Sequence, residues 1–552
     1  MNILKSAFLI YLFIPLLIPE ITKASDLEVW GNGEKNLRHF PIASESGLNL
    51  SMARNEFEIA LFHLPKIDSS QELMALSEME LKWEKADPKI NWKASLLGVH
   101  LLNKSSYMKS GISEVPEIVV PMHLLNQKGF HIPKSNYPRT PWYLLEFFTL
   151  ASTNSGEYKG NFHFKLQGKK YLIPISLKVY SYALPSRFDL KTSIGFATWP
   201  VLKKHYGEWH SGERELYQKY FDLASDHRID LHKIYYRFPP FNKKSTSDLL
   251  KYHDEHESFF DYWMNLYQGR DSVHAFKWSL TDLPIPEEYK TTVDSKALEY
   301  WKALEQSVKK NDLSENTFVY FIDEPKKEQF IKIKQNLKKI RDVAPDLKFL
   351  VTHHFSSILA NLVDWWCVSY SQWDKMPNPT PQFYQKRLKT NSKEQLWFYT
   401  SCNAHGCSGE GENHHEPDFV TDRPSSFIRS FPWLAYYYGA KGILYYDSAY
   451  GYTKEGNSPW VDDFNFTGYG EGNLFYPCNP EFCGIKEQFP LVSLRLKILR
   501  DGLEDVQIAR DAMAKKPELE KGLKDFLKPP RNFPERTELY NTKKTEYLKI
   551  LD

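Results

Sequence analysis

Charge of one sign is the first thing this sequence lacks. Lys and Arg number 71 against 69 Asp and Glu, a net charge of +2 over 552 residues. That balance gives no electrostatic case for nucleic acid as a partner. Long apolar runs are missing too. The longest at the N-terminus is Ala7–Ile18, 12 residues, where a bilayer needs about 20. Lys5 precedes it and Thr22-Lys23-Ala24 follows it, so residues 1–24 read as a secretory signal cleaved after Ala24. The expected product is exported, periplasmic or secreted, with no stable membrane anchor. Cysteine is scarce: only Cys367, Cys402, Cys407, Cys478 and Cys483 occur. None stands near the signal, which argues against a lipid anchor there. Cys402, His405, Cys407, His414 and His415 match no standard zinc spacing, so no metal or cofactor is expected. Export permits disulfides. The close pairs Cys402/Cys407 and Cys478/Cys483 are expected to bridge, and Cys367, in an apolar run, to remain a buried free thiol.

What is present is length and aromatic surface. A chain of 552 residues argues for two domains. The 15 Trp and 33 Tyr supply flat faces on which sugar rings stack, and near-neutral charge favours sugars over bases. Residues 26–185 read as β-rich. The stretch 48–64 has strand-like alternation, Leu81–Trp92, Ser95–Leu102 and Pro141–Leu150 look like strands, and Ser155-Gly156 and Gly168-Lys169 mark turns. Strands without a convincing helix predict a β-sandwich. It carries no catalytic constellation.

After Pro185 strands alternate with helices: Lys191–Ala197 with Glu213–Arg228, His232–Arg237 with Asp248–Gln268, His274–Leu280 with Asp294–Asn311. Thr317–Asp323 follows with Glu328–Val343, Lys348–His353 with Ser356–Leu362, and Trp365–Tyr370 with Gln382–Lys389. Glu394–Thr400 pairs with Ser425–Tyr438, and Gly442–Tyr446 with Ser493–Ala514. Eight strand–helix pairs predict a (β/α)8 TIM-type barrel over 186–515, with 516–552 as a C-terminal tail packed on it. The fold class is therefore multi-domain, β plus α/β.

The stretch Thr317–Pro325, TFVYFIDEP, carries the chemistry. Six β-branched or aromatic residues run into Asp323 and Glu324, and Pro325 ends the strand. Two acids at the carboxyl end of a barrel strand stand where such barrels keep their active sites. The bland alternative is a helix cap beside a solvated glutamate. Two long loops, 401–424 and 447–490, follow the seventh and eighth strands and belong to the same face.

These pieces resemble glycoside hydrolase family 123, grouped with the domain of unknown function 4091. The residues that carry the resemblance are Asp323-Glu324-Pro325, Ala53–Glu56, His227-Arg228, the tract WLAYYYGAKGILYY at 433–446 and Pro459-Trp460. The Gly-x-Leu-x-Tyr-Pro at 472–477 and the helix SLRLKILRDGLEDVQIA at 493–509 complete the set. The resemblance implies a β-sandwich, a (β/α)8 barrel and a retaining exo-β-N-acetylgalactosaminidase that uses the substrate's own acetamido oxygen as nucleophile. It implies Glu324 as general acid/base and Asp323 as the residue orienting the acetamido group. Adjacent acids suit that division better than the two-sided carboxylate scheme. The partner is then a glycan or oligosaccharide.

The oxazoline oxygen needs a donor, for which Tyr370 and Tyr399 are candidates. Trp278, Trp373, Trp397, Tyr446 and Trp460 are candidate sugar platforms. His227 and Arg228 either reach the sugar or end a helix, and His353 stands at the tip of the fifth strand. For each of these, core packing is the competing reading. Another sugar specificity on the same scaffold, or a carbohydrate-binding protein without catalysis, are the alternatives.

Overall fold

The computed structural model describes residues 21–22, 28–31, 47–63, 74–85, 89–102, 113–139, 141–208, 210–234, 281–283, 285–373, 380–391, 393–402, 407, 415–453 and 458–552. Residues 1–20 of the expected signal, the expected helix Asp248–Gln268, the expected strand His274–Leu280 and Trp278 lie outside them.

One sheet organises the second half of the chain. Its eight strands are β1 (Lys191–Ala197), β2 (Leu231–Ile234), β3 (Thr281–Asp282) and β4 (Thr317–Ile322), then β5 (Phe349–Val351), β6 (Trp365–Ser369), β7 (Gln395–Tyr399) and β8 (Gly442–Tyr445). They pair in the order β2-β1-β8-β7-β6-β5-β4-β3, every pair parallel. Neighbours in the sheet are thus neighbours in the chain, apart from β1 and β8, and the end strands β2 and β3 are themselves consecutive.

Alternation sorts the side chains of this sheet into two layers. On β4, Val319 and Phe321 face the helices with the main core, whereas Phe318 and Tyr320 face the other way. That inner layer also holds Leu350, Trp365, Cys367, Trp397, Tyr399 and Leu444. Trp365 and Trp397 stack at 5.2 Å, with Phe318 5.4 Å from Trp365. Room for the Trp397 ring exists because position 442 is glycine: a Cβ there would come within 2.5 Å of the ring. Cys367 is the expected buried free thiol.

The first half forms two sheets around one core. Leu48–Arg54, Ser77–Trp83, Gly156–Leu166 and Lys169–Ala183 lie in one. Phe57–His63, Asn91–Leu102, Ser113–Pro121 and Trp142–Phe148 lie in the other. Phe62, Leu96 and Phe147 meet Met52, Phe162 and Ile175 between them. The single strand expected over Leu81–Trp92 is two strands in different sheets: one ends at Trp83 and the next begins at Asn91. The charged, proline-containing stretch 84–88 carries no strand pattern. Two further strands, Phe475–Cys478 and Phe489–Ser493, join the second sheet from the 447–490 loop side.

Buried ion pairs clamp the halves together. The helix Leu494–Lys515, capped by the Ser493 hydroxyl, presents Lys497 and Arg500 to Glu146, each at 2.7 Å. Arg495 holds Glu117 at 2.7 Å. Arg228 reaches Glu504 at 3.0 Å and the Asn55 carbonyl at 2.6 Å. From the tail helix Thr537–Leu551, Lys544 bonds Glu56 and Glu58. Breaking one such pair leaves an uncompensated buried charge, a cost of about 3–5 kcal/mol. Three stretches that carried the family resemblance, Ala53–Glu56, His227-Arg228 and 493–509, therefore meet at this junction.

Candidate active site

The carboxyl end of β4 builds the site. Tyr320 is the last inward residue of the strand. Its N–H donates to Asp282 Oδ1 at 2.9 Å and its carbonyl accepts from Lys290 Nζ at 2.8 Å. Asp323 and Glu324 follow, both exposed, and Pro325 is buried. Successive residues of an extended strand point to opposite sides. Glu324 breaks that rule with φ +38°, a left-handed conformation that costs a non-glycine residue of order 1–3 kcal/mol. Its N–H is held by Thr352 Oγ1 at 2.7 Å.

Thr352, just past β5, serves both acids. Its hydroxyl accepts from Glu324 N–H and donates to Asp323 Oδ1 at 2.7 Å. The Tyr320 hydroxyl donates to the same Oδ1 at 2.7 Å. Both bonds fall on one oxygen, and no partner holds Oδ2 among the described residues. Glu324 has its own donor: Tyr399, ending β7, donates to Oε1 at 2.5 Å. Burial, then the neighbouring Glu324 carboxylate, pushes the Tyr399 phenol well above its usual pKa. Burial, then Asp323, does the same to Tyr320. Both phenols stay protonated and can only donate to these oxygens. Beneath Tyr320 lies His232 of β2, ring to ring at 5.8 Å. Burial holds its pKa down to about 3, and its Nδ1 meets Ser193 Oγ at 2.9 Å.

The other expected site residues are placed elsewhere. Tyr370 donates its hydroxyl to the Pro530 carbonyl at 2.9 Å and is 1% exposed. Trp373 is 1% exposed among Tyr384, Phe398 and Tyr438. Trp460 donates Nε1 to the Pro477 carbonyl at 2.8 Å and packs on Tyr476. Trp397 is the fully buried plug under the site. Arg228 belongs to the junction, as does His227, whose Nε2 lies 3.5 Å from Lys497 Nζ. His353 turns its Nδ1 to the His354 carbonyl at 2.7 Å and its ring to Phe330. Tyr446 is half-buried just past β8. The structure thus brings Asp323, Glu324 and Tyr399 together and adds Tyr320, Thr352 and His232. Tyr320 was not legible from alternation, which sets residues three apart on opposite faces; a register shift between Tyr320 and Ile322 intervenes. Thr352 had no signal of its own beside the more conspicuous His353-His354.

Cys402 pairs with Cys407 and Cys478 with Cys483, with Cα atoms 5.0 and 5.4 Å apart. The first bridge withdraws both sulfurs from any zinc set; His405 and His414 lie outside the described residues. The 401–424 loop is thereby tied off three residues beyond Tyr399. No helix among the described residues is long and apolar enough to cross a membrane.

The catalytic-domain model of glycoside hydrolase 123 matches residues 201–511, more than half of the chain. The chain belongs to glycoside hydrolase family 123. It is a glycoside hydrolase, and its substrate is a glycan. Among solved structures, this family 123 chain is similar to a family 123 glycoside hydrolase from Clostridium perfringens. The TM-score is 0.58 at 13% identity, over 91% of this chain and 93% of that one, a likeness of fold. An endo-beta-1,4-mannanase from Thermotoga petrophila aligns with TM-score 0.31 at 9% identity, over 59% of this chain and 78% of that one. Comparison with curated protein sequences returns no match.

Proposed function

We propose that this family 123 enzyme is a retaining exo-β-N-acetylgalactosaminidase that works by substrate assistance. The observation that carries the reading is the Asp323–Glu324 pair, two adjacent acids turned to one side and held by separate donors. Such a pair does not flank a sugar ring, as the usual two-carboxylate scheme requires. It suits one group for the leaving oxygen and one for the acetamido arm. In the first step the acetamido oxygen attacks the anomeric carbon, the glycosidic bond breaks, and Glu324 gives its proton to the departing oxygen. Asp323, with Oδ2 unclaimed, accepts from the acetamido N–H as positive charge grows on the oxazolinium. In the second step the Glu324 carboxylate takes a proton from water as the water opens the oxazoline at the anomeric carbon. Both displacements invert, so the configuration is retained.

With the Tyr370 hydroxyl committed to the core, Tyr399 is the remaining candidate donor to the acetamido oxygen, which it serves by turning its one proton away from Glu324. The cyclic strand order supports a closed (β/α)8 barrel for residues 186–515, and the two sheets around one core support a β-sandwich before it. The disulfides suit an oxidising compartment, in line with the signal at residues 1–24 and an exported enzyme. The Clostridium perfringens relative is described for glycolipid glycan hydrolysis, in keeping with a glycan-terminal sugar.

Hydrolysis of aryl β-N-acetylgalactosaminide, β-N-acetylglucosaminide and β-galactoside tests the proposal. The first should be cleaved fastest. The galactoside has no acetamido group, so an enzyme that prefers it does not use substrate assistance.

A further inference from the structure

Three half-buried aromatic rings lie past the carboxyl end of β8: Tyr446, Tyr450 and Phe466. Register fixes the position of the first. Leu444 of β8 pairs with Tyr399 of β7 and faces the inner layer. Tyr446 is two residues further along, one past the end of β8, and packs against the main core. At about 3.3 Å per residue, its Cα lies roughly 7 Å beyond the level of the tyrosine that holds Glu324.

Phe466 arrives from a different element. It is the first loop residue of the hairpin Phe464–Asn465/Gly468–Tyr469, with φ +52°. A bulky aromatic pays strain there, where a tight hairpin ordinarily uses glycine, asparagine or aspartate. The ring it delivers lies 5.0 Å from Tyr450 and 5.9 Å from Tyr446, and those two are 5.9 Å apart.

The hairpin is anchored to the strand end that carries Tyr399. Thr467 Oγ1 accepts from Cys407 N–H at 2.6 Å. A Cβ at Gly468 would lie 2.8 Å from Cys402 Sγ. Cys402 N–H in turn donates to Glu471 Oε1 at 2.7 Å. The disulfide, the strained turn and the buried glutamate tie the hairpin to the strand end that carries Tyr399.

We propose that Tyr446, Tyr450 and Phe466 form the platform for the sugar on the reducing-end side of the scissile bond, so that the enzyme selects glycan chains over small glycosides. The inference rests on the N-acetylgalactosaminidase reading and names its substrate class. An exo-acting site takes the terminal sugar at the level of Asp323 and Glu324. The next ring of the chain then lies outward, where the three aromatics offer apolar faces of the kind pyranose rings stack on.

The test compares a disaccharide ending in β-linked N-acetylgalactosamine with the β-fluoride of the same sugar, whose one-atom leaving group reaches no platform. Phe466→Gly suits the positive φ, so the hairpin should keep its shape while the ring is removed. Its kcat/KM on the disaccharide should fall about five- to tenfold more than on the fluoride, the worth of one aromatic contact. Phe466→Trp should restore the discrimination. If Phe466→Gly changes both substrates by the same factor, the trio is hairpin packing only and the proposal is overturned. Wild type inert on the fluoride defeats the parent reading, and this one with it.

Discussion

Removing the Tyr399 hydroxyl tests the donor that the site depends on most. Tyr399→Phe deletes the 2.5 Å bond to Glu324 Oε1 and leaves a ring that is 8% exposed in place. A hydrogen bond to a charged group is worth about 1.5–3 kcal/mol. Glu324 is open to solvent and water can replace the lost donor, which selects the lower end, about 1.5 kcal/mol. That is about tenfold in kcat/KM if the hydroxyl only orients Glu324. If its one proton turns from Glu324 to the acetamido oxygen as charge develops, the loss rises to about 10²–10³-fold. The assay is kcat/KM on aryl β-N-acetylgalactosaminide, with thermal unfolding as control. Because the ring and its neighbours are kept, the unfolding midpoint should hardly move. A loss below threefold, with the fold intact, would refute the role given to Tyr399.

Two further outcomes concern the scaffold. Gly442→Ala drives a methyl to within 2.5 Å of the Trp397 ring; overpacking of this kind costs about 1–3 kcal/mol, read as a lower denaturant midpoint at unchanged slope. Glu471 titrates at about 7 because burial raises it, against the lowering by the Cys402 N–H and Tyr445 hydroxyl bonds. The folded state therefore holds a proton that the unfolded chain releases near pH 4.5. This contribution to stability is complete below that pH and is lost as pH rises through about 7. Unfolding midpoints at pH 5 and 8 should fall less in Glu471→Gln than in wild type, and an equal fall would contradict the assignment.

Much of the architecture was legible because its signals are local. Continuous apolar runs followed by helical periods mark strands buried on both faces, and seven of the eight described strands of the parallel sheet overlap an expected one. The eighth, β3, is described over Thr281–Asp282, and the expected His274–Leu280 lies outside the described residues. Sequence proximity found both disulfides. The two carboxylates were visible because a strand runs into them.

What surrounds them was not visible, since it depends on pairing across the sheet. Thr352 reaches Asp323 from β5 and Tyr399 reaches Glu324 from β7, 75 residues away in the chain. Long-range ion pairs misdirect in the same way. His227-Arg228 and Ala53–Glu56 stand out in the sequence as polar motifs. Yet Arg228 and Glu504, 276 residues apart, make a structural clamp. Trp373 and Trp460 show that a tryptophan near a strand end is no guide to whether its ring is spent on the core.

The division of labour between Asp323 and Glu324 is the centre of the account, and a leaving-group series tests it most directly. The measurement is kcat/KM for wild type, Glu324→Gln and Asp323→Asn on N-acetylgalactosaminides whose leaving groups run from alkyl alcohols to activated phenols. Glu324→Gln lacks the proton donor, so its loss should be largest on the alkyl glycosides and shrink steadily toward the activated phenols. Asp323→Asn weakens the hold on the acetamido nucleophile, so it should lose about 10²–10³-fold with little dependence on the leaving group. Near-wild-type rates in both variants across the whole series would contradict the account.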